Sequence, residues 1–114
     1  MTNPRRRARI GELLREEIAM LLLREELPED AVVTVTRVTP KEDLTSAEVA
    51  VSVLPEDRGG EVIAWLQQRV ALFQRDLNRR MRMRPVPRIR FLLDRTTAEA
   101  DRIEAELYKL QQDH

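Results

Sequence analysis

The chain has no cysteine among its 114 residues, and its single histidine, His114, is the last of them. Disulfide staples, thiolate metal sites and cysteine nucleophiles are thereby excluded, and a histidine-based metal cluster cannot be assembled. Aromatic residues are scarce: one tryptophan, one tyrosine and two phenylalanines. A surface that reads nucleic acid by rows of stacking rings is therefore not expected. Only three glycines are present, and the adjacent Gly59 and Gly60 lack the spacing of a phosphate-gripping nucleotide loop. No apolar run approaches the roughly 20 residues of a membrane span. The basic start is followed by acids in "IGELLREEIAM", where a signal peptide needs an unbroken apolar region. A cytoplasmic protein with no membrane partner is expected. Catalysis is not: Glu16/Glu17 and Glu25/Glu26 read as solvated helix residues, and Ser46 and Ser52 have no strained elbow or histidine partner. No cofactor is implied.

Net charge is also missing, because 20 basic residues are balanced by 20 acidic ones. The layout is not balanced. Residues 29–61 hold eight acids against three bases, and residues 94–114 hold six against three. Between them, residues 69–90 hold eight arginines against the single Asp76. Segregation of this kind makes a dipolar molecule. Arginine offers a planar fork suited to phosphate and to stacking on bases. The plainer explanation is a solvated surface in a chain where arginine outnumbers lysine 18 to 2 throughout.

Periodicity divides the chain into elements. From Arg7 to Leu27, Ile10, Leu13, Leu14, Ile18, Leu21 and Leu22 recur at helical spacing. Arg5, Arg6 and Arg7 would face the positive end of a helix dipole if Asn3 and Pro4 began it, so residues 1–6 are expected to form a mobile basic arm. "VVTVTRV" (32–38) and "SAEVAVSVL" (46–54) read as a hairpin of strands, with Ala47, Val49, Val51 and Val53 on one face. Val62, Leu66, Val70, Phe73 and Leu77 restore helical spacing from Glu61 to about Met83, a length of close to 35 Å in which a break is expected. Arg75, Arg79 and Arg82 would stack on one face of it. Pro85 and Pro87 end that helix, and Ile89, Phe91 and Leu93 then alternate as a third strand. Thr96 with Glu99 announces a last helix through Ile103, Leu107 and Leu110, leaving residues 111–114 as a frayed tail. The order is α-β-β-α(-α)-β-α: an α+β, two-layer domain over 7–110, a three-stranded sheet with helices on one face. Phe91 reads as core. Trp65 reads equally as core edge or as a protein contact.

"RIGELLREEIAMLL", "VTVTRVTPKEDLTSAEVAVSVL" and "LNRRMRMRPVPRIRFLLDRT" together resemble the bacterial ribosome-binding factor A family across about residues 7–110. The first strand leads through a polar turn with an aspartate and a leucine, here Asp43 and Leu44. The later pattern R-x-V-P-x-hydrophobic-x-F-x-x-D is matched by Arg84, Val86, Pro87, Ile89, Phe91 and Asp94.

The resemblance implies a KH-like fold of the second type. It implies a non-catalytic assembly factor that binds 16S precursor rRNA and the immature 30S subunit, not DNA, and assists late maturation and 5′-end processing. The sequence leaves the oligomeric state open, with a monomer as the default expectation. The residues expected to bind RNA are Arg5, Arg6, Arg7, Arg9, Arg69, Arg75, Arg79, Arg80, Arg82, Arg84, Arg88 and Arg90. Where the family has an Ala-x-Gly helix kink, this chain has Arg69, Val70 and Ala71, and the usual arginine soon after it is Gln74, with Arg75 able to serve. No basic tail follows the last helix, so the affinity such tails lend is expected to be absent. The competing class is an adapter that docks acidic proteins through the same arginines.

Overall fold

A computed structural model describes residues 2–95 of the protein. The helix expected from Thr96 and the tail at 111–114 lie outside the described residues. The first helix, α1 (Pro4–Leu22), starts one turn earlier than its apolar stripe suggests. Asn3 caps it, its Oδ1 accepting from the Arg5 backbone N–H at 2.8 Å, and Pro4 occupies the first turn. A cap of this kind stabilises by about 1 kcal/mol. Arg7 adds a tertiary anchor, its Nε–H donating to the Pro40 carbonyl at 2.7 Å. Together these outweigh the solvent-screened repulsion between the arginines and the helix dipole. Residues 4–6 are thus the first turn of α1, not an arm preceding it. The far end also differs. Beyond Leu22 the core-facing positions pass to Glu25 and Pro28, so the helix closes with tight bonds from Arg24 N–H to Leu21 O and from Glu25 N–H to Leu22 O. Leu13, counted with the stripe, is 46% exposed.

Strands β1 (Val32–Pro40) and β2 (Ser46–Leu54) form the expected antiparallel hairpin, and β3 (Arg88–Leu93) joins β2 in parallel, giving the order β1-β2-β3. In β1 the inward face changes parity, with Val33 and Val35 before Thr36 and Val38 and Pro40 after it. A bulge causes this: Val35 pairs with Val51 and Arg37 with Ala50, leaving Thr36 unpaired. The Thr36 hydroxyl lies 2.6 Å from Oδ2 of Asp94, the last residue of the R-x-V-P-x-hydrophobic-x-F-x-x-D pattern, across the central strand. The central strand fixes both residues, its Ala50 carbonyl lying 3.1 Å from the Thr36 hydroxyl and its Val51 carbonyl accepting from the Asp94 N–H at 2.7 Å.

After β2, a 3-10 turn (Glu56–Arg58) leads into α2 (Gly59–Gln68) and α3 (Val70–Arg80). At about 1.5 Å per residue the two helices are each close to the length of β3, whereas an unbroken helix would overshoot it. All three helices cover one face of the sheet. Leu14, Ile18, Val62, Leu66, Phe73 and Leu77 meet Val49, Val51 and Phe91 there, every one of them fully buried. Phe73 and Phe91 meet edge to face with centroids 5.3 Å apart, which places Phe91 in the core. Among the described residues no charged side chain is buried.

Candidate nucleic-acid interface

Topology gathers the basic residues at one end of the domain. α1 begins where β1 ends, since Arg7 holds the Pro40 carbonyl and Thr2 shares a surface depression with Lys41, Glu42 and Asp43. β3 starts at the same end, its Arg88 N–H donating to the Thr45 carbonyl at 3.0 Å. The segment leaving α3 delivers Arg82 and Arg84 to it. The opposite end carries Glu29, Asp30, Glu56, Asp57 and Glu61. Arg58 is fixed there by Glu61 and by the Glu29 carbonyl at 2.8 Å. The Arg58 hydrogen bond to Glu61, at 2.9 Å, also holds the Glu61 carboxyl below the usual carboxylate range.

The twelve arginines named from sequence do not share one state. Arg80 pairs with Glu17 of α1 at 2.5 Å, tying α3 to α1. Arg84 turns back on its own segment, with Nη1 donating to the Met81 carbonyl at 2.6 Å and to that of Met83 at 2.8 Å. Arg90 reaches Glu48 on the neighbouring strand at 2.8 Å, an exposed pair of small energetic weight. Arg7 is held by Pro40. The side chains of Arg5, Arg6, Arg9, Arg75, Arg79, Arg82 and Arg88 have no hydrogen-bonding or ion-pair partner among the described residues, and all are exposed. They are free to meet an anion.

The expected stack of Arg75, Arg79 and Arg82 is partly corrected. α3 ends at Arg80, and Met81 is extended with ψ 141°, so only Arg75 and Arg79 share a helical face. Arg79 and Arg80 lie in the last turn, where positive charge complements the helix dipole. The β1–β2 turn is fastened by Asp43, whose carboxylate accepts from the Thr45 hydroxyl at 2.7 Å and the Thr45 N–H at 3.0 Å. These bonds hold the Asp43 carboxyl below its ordinary range. Leu44 takes a left-handed φ of 61° and packs its half-buried side chain against the core.

The break between α2 and α3 falls within the Arg69, Val70 and Ala71 triplet, at its first residue. Arg69 has φ −105° and ψ 4°, ends α2, and starts α3 by accepting from Leu72 and Phe73. Val70 and Ala71 are already helical. The Arg69 guanidinium carbon lies 4.0 Å from the centroid of the Trp65 ring, a cation–π contact not foreseen from sequence. Their i, i+4 spacing was the available signal. Gln74 proves to be a fastener: Nε2 donates to the Pro87 carbonyl at 3.0 Å and Oε1 accepts from the Ile89 N–H at 2.9 Å. Lys41 was also missed. It joins the basic end only because β1 finishes beside the start of α1.

Among the described residues no group of three or more histidine, cysteine or acidic side chains could hold a metal. No helix among them is long and apolar enough to cross a membrane. A family profile described as "Ribosome-binding factor A" matches residues 6–107. A "Ribosome-binding factor A" from Anaeromyxobacter dehalogenans is 36% identical over 107 residues, covering 91% of this chain and 78% of the relative. One from Microcystis aeruginosa is 34% identical over 108 residues, covering 90% and 84%. Among solved structures, ribosome-binding factor A from Thermus thermophilus superposes with a TM-score of 0.64 at 25% identity, over 76% of this chain and 94% of that one. A homology model of the Thermus factor, fitted into a cryo-EM map of its complex with the 30S subunit, gives a TM-score of 0.66 at 28% identity, over 77% and 94%. With the profile spanning most of its length and relatives above 30% identity nearly end to end, this chain belongs to the ribosome-binding factor A family.

Proposed function

We propose that the protein is a cytoplasmic, non-catalytic assembly factor of the small ribosomal subunit. In this reading it uses a KH-like domain to hold 16S precursor rRNA during late maturation and 5′-end processing. The observation that carries the reading is the set of exposed arginines whose side chains have no partner among the described residues: Arg75 and Arg79 on α3, Arg82 after it, and Arg88 opening β3. Charges that fold the protein are paired, as Arg80 is with Glu17, whereas these four are not. An RNA backbone supplies closely spaced phosphates that such a group can follow, and shape and phosphate contact set its affinity.

Binding of precursor 16S RNA is expected to weaken as salt rises, with each phosphate contact adding about 0.7–0.9 to the logarithmic slope. Replacing Arg75, Arg79 and Arg82 together by glutamate is expected to reduce that slope by about 2 and to lower affinity strongly. The melting temperature should stay nearly unchanged, because exposed charges without partners contribute little to folding. Filter binding across a salt series, beside a melting curve, reads both. A folded triple variant with undiminished RNA affinity refutes the site, and copurification with a defined RNA-free protein complex would support the adapter class instead.

A further inference from the structure

We propose that the α2–α3 break is a stacking site for an unpaired RNA base, with Trp65 as the platform and Arg69 as its removable cover. This rests on the RNA-binding reading above and narrows it to single-stranded RNA. Trp65 is half-buried, its indole packed at the edge of the core. Arg69 is itself half-buried, so the ring and the guanidinium laid on it both reach the surface. Helical side chains lean toward the preceding turn, which is why residue 69 covers residue 65.

The cover is loosely held. Its one hydrogen bond among the described residues runs from Nη1 to the Trp65 carbonyl at 3.4 Å, and no carboxylate pairs with it. A cation–π contact at a part-exposed site is worth about a factor of two to five. A base stacked on an aromatic ring is worth about 5- to 150-fold. The base therefore displaces the guanidinium, which turns to a phosphate of the same strand. Past the break, exposed Leu72, Arg75 and Arg79 follow at i, i+3 and i+7 on one face of α3, which leads the strand toward the basic end. A duplex keeps its bases stacked within itself and cannot offer one to the ring.

Trp65 is the only tryptophan in the chain, so its emission reports this site alone. The full-length protein is titrated at low salt with labelled oligoadenylate and with an abasic ribose-phosphate strand of equal length, following anisotropy and tryptophan emission together. Both strands are expected to bind, with only oligoadenylate quenching Trp65. Trp65→Leu is expected to lower oligoadenylate affinity by about 5- to 150-fold, leaving the abasic strand within about twofold. Trp65→Phe, the variant that keeps the packing, is expected to retain most of the affinity. Equal affinity of wild type for both strands, with no quenching, overturns the platform and leaves the RNA reading standing. Failure of both strands to bind overturns the two together.

Discussion

Gly11 marks how tightly α1 lies on the sheet. A Cβ built there would stand 2.7 Å from the Val38 carbonyl oxygen and 3.0 Å from Cδ of Pro40. The obstacle is backbone, which cannot step aside. Gly11→Ala is expected to destabilise by about 1–3 kcal/mol through overpacking, despite the better helix propensity of alanine. Gly60, also helical, has nothing within 4 Å of such a Cβ, so Gly60→Ala is expected to stabilise by roughly 0.4–1 kcal/mol through the unfolded chain. Urea unfolding of both variants checks the pair, and a neutral Gly11→Ala would mean that α1 is free to lift from β1. At this scale the sequence shows which residue types are abundant and not which are engaged. Arg79 and Arg80 are neighbours on one helix, yet only Arg80 meets Glu17, 63 positions away in the chain. The arginines free for RNA were legible as a group, and the distinction within it required the fold.

Among the elements, those with a long unbroken pattern were legible and those set by a single contact were not. Alternation in "SAEVAVSVL" gave the buried face of β2 correctly, with Val49 and Val51 fully enclosed. β1 is denser in branched residues but carries a bulge at Thr36, which such a run does not reveal. The expected break in the central helix was set by length, and its place at Arg69 by the cover on Trp65 and the run of helix over the sheet. The connection of α3 to β3 depends on Gln74, whose amide gives a donor to Pro87 and an acceptor to Ile89 on the free edge of β3. Gln74→Ala is expected to lose about 1–3 kcal/mol, because both backbone groups lose their partner in a part-buried site. Arginine at this position keeps a donor but has no acceptor for the Ile89 N–H, so Gln74→Arg is expected to lose stability as well. Gln74→Glu, which keeps the acceptor alone, should fall between Ala and wild type. Chemical denaturation orders the three, and equal losses in all of them would show that side-chain volume, not hydrogen bonding, is what Gln74 supplies.

For the molecule as a whole, zero net charge conceals two ends of opposite sign, produced by the order in which the elements are strung together. The starts of α1 and β3 meet the end of β1 and its turn, so bases from these three segments converge there, while α3 ends beside Glu17 further along α1. The acids of the α1–β1 loop and the 3-10 turn converge at the other end. A charge distribution of this kind orients a molecule in the field of a polyanion, with the basic end foremost. The proposed role places this polarity in the cell. A strain lacking the protein is expected to accumulate small subunits with unprocessed 5′ RNA ends and fewer joined ribosomes, most visibly in the cold. Wild-type protein should repair this. The chain carrying glutamate at 75, 79 and 82 should not, because it keeps the paired charges that tie α3 to α1 and loses the free ones that face phosphate. Gly60→Ala, which touches neither set, should complement fully and serves as the control for expression. Gradient profiles with primer extension of the 5′ end read all four strains. Normal 5′ ends and subunit ratios in the deletion strain, warm and cold, would refute the assembly role and leave a basic end whose partner is a protein.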